Sequence, residues 1–520
     1  MQTLPIGIQS FEKLRRENLL YVDKTGKLLE MIRSGSRYFL SRPRRFGKSL
    51  TLSTLEAMFK GQSKLFRGLS AEDWVGKQAQ NPAPVLRLDM SIFTTETIDD
   101  FKLSLKENIS RLARLFKIEI FSETIGGKFQ DLIEGLYSNG GSVVVLIDEY
   151  DKPILDHIND LRKANEIREV LRSFYIILKS CDKYLRFVML TGISKFSKVG
   201  IFSTLNNLQD ISMARQYSDI VGYTQEELEK FFSEWICKVA DDLNISSEEL
   251  LIKMKNYYDG FSFDGQVRLY NPFSILNFLS IEDFRNYWYD SGSPSFIVEW
   301  MKAHSIQVPE EYRHIEVFSD FLSSQEIERA KPASFLYQSG YLTIEKKEEQ
   351  ILTLDYPNRE VLDSISRLYL ELVYHVEQFA SLGSAIWRAL RDSNISEIVR
   401  LYNTALKEVS YGDFSNRDEF WYRSLFLMLL RGAGIIAYAE VQTFKGRSDV
   451  TINFKNQVIV LEFKFAKKSS QLKEKILEGQ NQLKEREYAG SYKFEDRKVI
   501  EAVIVADDEQ RQAVFSSLIV

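Results

Sequence analysis

The chain has 520 residues, too many for one hydrophobic core, and its length suggests roughly three or four units. A hydrophobic content of 44% with 13% aromatic residues excludes a disordered chain, and only Cys181 and Cys237 are present, which excludes a disulfide framework and fits a reducing, cytoplasmic compartment. A formal net charge of −5 supplies no overall field for a polyanion, so a nucleic acid would have to be met by local basic stretches, of which Arg42 to Lys48 and Lys464 to Lys475 are the two candidates.

His157, His304, His314 and His375 show no ligand spacing, which argues against a zinc site. The apolar runs at 143–147 and 425–430 are far short of a bilayer span, and the first residues lack an apolar signal core, so a soluble, non-exported protein is expected.

The first motif lies at 36–59, SRYFLSRPRRFGKSLTLSTLEAMF. Tyr38, Phe39 and Leu40 predict a short strand, and after Gly47-Lys48-Ser49 the apolar residues recur at helical spacing. Strand, basic loop and helix in that order are the parts of a P-loop, whose amides cradle phosphates while the Lys reaches them and the Ser hydroxyl sits on Mg²⁺. Arg42 stands where the consensus wants Gly, so the string is also compatible with a basic turn before an ordinary helix. A strand is predicted at 85–90, a long helical stretch from Asp99 to about Leu136, and a turn at 139–141.

Five consecutive apolar residues at 143–147 then read as a fully buried parallel strand ending in Asp148-Glu149. A buried strand followed by an acid pair is the second half of a nucleotide site, with Asp148 on Mg²⁺ and Glu149 orienting or deprotonating the attacking water. A further buried strand at 185–194 carries Thr191, either a contact to the γ-phosphate or the water, or a strand end with no role. Thr224 to Glu227 form a capping box that opens a helix, and 221–355 read as a helical, winged-helix-like lid with turns at Tyr258–Phe261 and Asn271-Pro272. A linker turn follows at 355–358, and 356–412 read as a helical connector.

The tail from 413 carries a second chemistry. A helix is predicted from Asp418 to Arg431, then an alternating strand, a turn at Lys445-Gly446-Arg447, and two strands around Lys455-Asn456-Gln457. Asp449 begins one of these strands; Glu462 and Lys464, two apart on the next, share a face. Two carboxylates can hold Mg²⁺, or Mn²⁺ in its place, and a neighbouring ammonium can stabilise charge on a scissile phosphate. Glu419 on the preceding helix is a further candidate acid, and Gln482 on the helix after 472 could hold a phosphate.

RPRRFGKS, LIDEYDKP, TGISKFSKVGIFSTLNNLQD, GYTQEEL, YVDKT and YDGF resemble the bacterial AAA-ATPase-like proteins, and GRSDVTINF, VIVLEFKF and QLKEREY resemble the PD-(D/E)xK nuclease superfamily domain that such proteins carry at their C-terminus. In the family an Arg in place of the first loop Gly is usual.

The resemblance implies an α/β P-loop domain over 1–220, the lid, the connector, and a restriction-endonuclease-like α/β domain over 413–520. It implies ATP and Mg²⁺ at Arg44, Arg45, Phe46, Gly47, Lys48, Ser49, Asp148, Glu149 and Thr191, and a nuclease core of Asp449, Glu462 and Lys464 flanked by Glu419 and Gln482, with Ser448 where the superfamily often has Pro. The expected function is ATP binding, with hydrolysis, joined to metal-dependent cleavage of DNA or RNA and gated by nucleotide state. The rival is an ATP-dependent switch or scaffold whose nuclease fold binds nucleic acid without cutting. A homo-oligomer is compatible with the sequence, and Arg44 and Arg45, lying in the loop itself, could act in cis.

Overall fold

The computed structural model describes residues 1–195, 207–290, 309–322, 331–409, 417–443, 446–488, 492 and 497–518. The chain divides into two compact units, residues 1–296 with 314–360, and residues 297–313 with 361–520. Among the described residues no helix is long and apolar enough to cross a membrane.

The first unit is built on a five-stranded parallel sheet, β1 (Arg37–Ser41), β2 (Val85–Asp89), β3 (Val143–Asp148), β4 (Leu185–Gly192) and β5 (Gln209–Asp210), in the order β2-β3-β4-β1-β5. All six residues of β3 are buried, as its uninterrupted apolar run predicts for a strand covered on both faces. Phe129, Leu132, Ile167, Leu171 and Phe174 from the flanking helices pack with β2, β3 and β4 into one apolar cluster.

The long helix expected from Asp99 to Leu136 is two helices, Ile98–Phe116 and Ile125–Gly140. Lys117 leaves the first in a left-handed conformation at φ 58, and the Thr124 hydroxyl accepts from Gly127 N to start the second. Ile118 fills the space beside Gly135, where an added Cβ would come within 2.4 Å of its methyl, so the two helices fold back closely. The strand expected at 185–194 ends at Gly192.

Beyond the sheet, the Thr224 capping box opens helix Gln225–Phe231, with the Thr224 and Glu227 side chains bonding each other's backbone N–H. Tyr258, Phe278 and Phe284 form an aromatic knot within this helical part. The region expected to be helical also holds a three-stranded antiparallel sheet, β6 (Ile315–Phe318), β7 (Thr343–Glu348) and β8 (Ile351–Asp355), ordered β6-β8-β7. Its hairpin turns at Glu349, which has φ 51, and the polar run TIEKKE carries no strand period that could have announced it. Gly260, at φ 115, lies so close to the Pro357 carbonyl that a Cβ would sit 1.9 Å from its oxygen.

The second unit carries helices Phe379–Arg391 and Ile395–Glu408 and a mixed sheet of β9 (Ile436–Thr443), β10 (Gly446–Phe454), β11 (Gln457–Ala466), β12 (Lys498–Asp507) and β13 (Gln512–Leu518). The sheet is antiparallel except for the β11–β12 pair. Helix Glu419–Gly432, capped by Asp418 on Trp421 N, is buried over nearly its whole circumference, and its Phe426 meets Phe463 of β11 with ring centroids 5.3 Å apart. Helix Leu472–Arg486 covers the other face through Leu483, and Gly479 lets it approach β12, since a Cβ there would meet a Val503 methyl at 2.5 Å. Of the expected turn at Lys445-Gly446-Arg447, Lys445 lies outside the described residues, and Gly446 and Arg447 already belong to β10, paired with Thr443 and Gln442.

Candidate functional site

Each unit carries one group of converging polar residues, at strand ends in the first and within the adjacent strands β10 and β11 in the second. In the first, the chain leaves β1 at Ser41 and enters helix Lys48–Phe59 through the basic loop. Arg42, the residue in the consensus Gly position, is buried; its guanidinium donates to the carbonyls of Ser41, Ser212 and Tyr217 and lies 4.0 Å from the Phe263 ring centroid. Burial lowers its pKa to about 10. Arg42 thus anchors the base of the loop, and its side chain supports the turn that a glycine would have left bare.

Lys48 Nζ donates to the carbonyls of Arg42 at 2.9 Å and Pro43 at 2.8 Å, bridging the loop. Burial pulls its pKa down, opposed by the charges of Asp148, Glu149 and Asp151. Gly47 sits at φ 92 with no atom within 4 Å of where a Cβ would be, so the loop keeps a left-handed turn and open space beside it. Ser49 is half-buried in the first turn of the helix, and its carbonyl accepts from Arg87.

Phe46 is buried, with its ring 4.9 and 5.6 Å from those of Phe261 and Phe263, and its carbonyl accepts from Gly222 N. It also lines an apolar cavity beside the loop. Arg45, exposed and at φ 67, lies with its guanidinium 4.9 Å from the Phe273 ring centroid, and the Arg44 carbonyl accepts from Trp288 Nε1.

Asp148 is buried at the end of β3, where Oδ1 accepts from Thr191 Oγ1 at 2.6 Å and from Glu149 N at 3.1 Å. The Thr191 hydroxyl is therefore committed to the acid. Glu149 leaves the strand at φ 48, and its carboxyl is held above the ordinary range by burial first and by Asp148 and Asp151, against the pull of Lys48.

The sequence reading missed Asp151, which is buried and accepts from Ile193 N, Ser194 N and Ser194 Oγ, tying the turn after β3 to the end of β4. Burial raises its carboxyl. The third acid in DEYD was its signal. Also missed was an apolar cavity beside Gly47, lined by Tyr21, Val22, Leu50, Val221, Tyr223 and Pro272, which no periodicity could reveal because its walls come from distant stretches of the chain.

In the second unit the β10–β11 ladder pairs Val450 with Leu461, so the next step sets Asp449 opposite Glu462. Asp449 Oδ2 accepts from Phe463 N at 2.8 Å, and Oδ1 lies 3.3 Å from Arg423, whose other terminal nitrogen reaches Glu440 at 2.9 Å. Lys464 Nζ donates to Glu462 Oε1 at 2.6 Å and to the Phe463 carbonyl. Glu462 is fully buried and its Oε2 has no hydrogen-bond partner.

An ionised carboxylate oxygen left bare in the interior is costly, and either a proton shared with Asp449 or a cation relieves it. Burial foremost, then the Asp449 charge, push Glu462 up to about 8 against the pull of Lys464. Burial lowers Lys464, but its bond to Glu462 and the charges of Asp449 and Glu419 prevail and keep it above the ordinary lysine value.

Glu419 is half-buried at the helix start, raised by burial and by Asp449 and lowered by Lys464, so it shares their field. Gln482 is half-buried on its helix and donates to Tyr488 Oη at 3.3 Å. Arg423 and Glu440 were not foreseen; each lies on an element chosen for other residues. The donor set is two converging carboxylates, one with a bare buried oxygen, and it fits a hard divalent cation.

The fold and the two sites define a P-loop ATPase-like unit joined to a restriction-endonuclease-like α/β unit. The family model for predicted AAA-ATPase matches residues 5–202, and that for the PD-(D/E)XK nuclease superfamily matches residues 417–516. An uncharacterized protein in the vnfD 5′ region of Azotobacter chroococcum mcd 1 is 34% identical over 474 residues, 89% of each chain. The chain belongs to the AAA-ATPase-like family and carries a PD-(D/E)XK nuclease-superfamily domain. Among solved structures, the Orc1 protein of Aeropyrum pernix in complex with DNA overlaps 66% of this chain and 90% of that one, at 11% identity and a TM-score of 0.25, too slight a likeness to bear on function.

Proposed function

We propose that the chain binds and hydrolyses ATP with Mg²⁺ in its first unit and cleaves DNA or RNA with Mg²⁺ or Mn²⁺ in its second, in the cytoplasm, with nucleotide state gating the cut. The observation that carries the nuclease reading is the bare, buried Oε2 of Glu462 beside Asp449 and Lys464. Asp449 and Glu462 would hold the metal, which when bound supplies a Lewis acid and an acidified water. Lys464 would place its ammonium on the developing phosphate charge, Glu419 would lend a further acid, and Gln482 would contact the nucleic acid backbone.

In the first unit, the loop amides and Lys48 would receive the phosphates, Ser49 and Asp148 would take Mg²⁺, and Glu149 would orient water. Supporting this, Lys48 is held in the loop by carbonyls that a phosphate can replace, and Thr191 fixes Asp148. The apolar cavity at Tyr21, Leu50 and Tyr223 suits a purine ring next to Gly47. One observation favours the rival, in which the second unit binds nucleic acid without cutting: Asp449 already has the Arg423 guanidinium and an amide as partners. The test is metal-dependent cleavage of plasmid and single-stranded DNA by the intact chain and by Glu462→Ala. Cutting lost in the variant supports the enzyme, and binding without cutting by the parent supports the rival.

A further inference from the structure

We propose that His314, Glu345 and Asp355, in the three-stranded sheet of the first unit, form a site for one borderline divalent cation such as Zn²⁺. The inference stands apart from the nucleotide and nuclease readings. His314 immediately precedes β6, Glu345 lies within β7, and Asp355 ends β8, so the donors come from three chain segments that only the fold brings together.

One ligand atom from each lies within 4.8 Å of the other two. His314 Nδ1 is 2.7 Å from Glu345 Oε2, and Nε2 is 3.6 Å from Asp355 Oδ2. Zinc bonds of about 2.0–2.2 Å to nitrogen and oxygen set neighbouring donors roughly 3–4 Å apart, so a donor set within 4.8 Å takes the ion by drawing both carboxylates toward one ring nitrogen.

Two features of the sheet aim these groups. The β7–β8 register shifts between Ile344 and Lys346, which puts Glu345 at a bulge, the device that redirects a side chain out of the ladder. The Arg268 guanidinium donates to the carbonyls of Ile344 and Glu345, so it braces the bulge through backbone oxygens. Lys346 is paired with Glu348.

Charge favours a cation as well. Two carboxylates face one imidazole, leaving an excess of negative charge whichever state the ring takes, and Asp355 is 7% exposed. One imidazole with two carboxylates and no thiolate suits Zn²⁺ or Mn²⁺ better than Mg²⁺ or Ca²⁺. Bound there, the ion would cross-link the entry of β6 to both strands of the hairpin. The scattered spacing of the histidines argued against zinc, and it hid this group because residues 314, 345 and 355 follow no local pattern.

The test is Zn²⁺ titration of the intact chain against a chromophoric chelator, without nucleotide or Mg²⁺, together with the Co²⁺ absorption spectrum. One Zn²⁺ per chain is expected, raising the melting temperature. Affinity should fall at least about tenfold in His314→Ala and in Glu345→Gln, and should survive Asp449→Ala with Glu462→Ala. Co²⁺ should show bands of nitrogen and oxygen ligation. Equal affinity in His314→Ala and Glu345→Gln, a cobalt–thiolate band pointing to exposed Cys237, or no stoichiometric uptake, meaning an ion pair only, would each overturn the proposal. Glu345 is 41% exposed on its side chain, so its variant gives the answer even if His314→Ala fails to fold.

Discussion

Replacing Glu462 with glutamine isolates the electrostatic cost of the second site. In the folded chain this carboxyl titrates at about 8, against 4.5 for an ordinary glutamate, because it is buried beside Asp449. Between those values the folded protein keeps a proton that the unfolded chain has released. Its contribution to stability is therefore complete below pH 4.5 and is lost as pH rises through 8. At about 1.36 kcal/mol per unit, the loss is on the order of 5 kcal/mol. Glutamine has the shape of the protonated acid and no charge to desolvate. The Glu462→Gln variant should match its parent at about pH 4 and exceed it by on the order of 5 kcal/mol at about pH 9, in metal-free buffer. The assay is urea-dependent hydrogen exchange of the β11 amides, since a chain of two units has no single unfolding curve. A divalent cation must displace the same proton, so metal affinity in the parent should climb up to about tenfold per pH unit within the window and level off above it. A stability difference that does not change with pH would refute the reasoning.

Lys48→Ala should weaken ATP binding by about 10- to 100-fold, the worth of a charged hydrogen bond, in a fluorescent-nucleotide titration; unchanged affinity would discard the phosphate-loop assignment. Thr191→Val takes the 2.6 Å hydroxyl donor from buried Asp148 and should cost about 1–3 kcal/mol in thermal unfolding of the first unit, while Thr191→Ser should cost less. Gly479→Val should destabilise the second unit by about 1–3 kcal/mol, because the new Cβ would stand 2.5 Å from a Val503 methyl; an unchanged melting temperature would contradict that close approach.

The parts of the fold with a strong local period were legible in the sequence. The buried run Val143–Ile147, the Thr224 capping box and the Glu462/Lys464 alternation are each decided by residues close in the chain. What was lost depended on distant partners. The 98–140 region reads as one helix until Ile118 is seen packed on Gly135, and Arg42 reads as a defective loop residue until Ser212 and Tyr217 supply carbonyls for it. The ring partners of Phe46, Phe261 and Phe263, lie more than two hundred residues away in the chain. Arg423, Glu440 and Asp151 act through contacts 17 to 43 residues away, beyond the reach of any spacing rule.

The central claim is that Asp449 and Glu462 hold a divalent ion for phosphodiester cleavage under the control of a nucleotide at Lys48. Its most direct measurement is DNA cleavage by the intact chain in Mg²⁺ or Mn²⁺, with and without ATP, beside Glu462→Ala and Lys48→Ala. The account predicts cutting that needs the metal, vanishes in Glu462→Ala and loses its response to ATP in Lys48→Ala. Cutting that persists undiminished in Glu462→Ala, or a parent protein that binds DNA and never cuts it under any of these conditions, would contradict it.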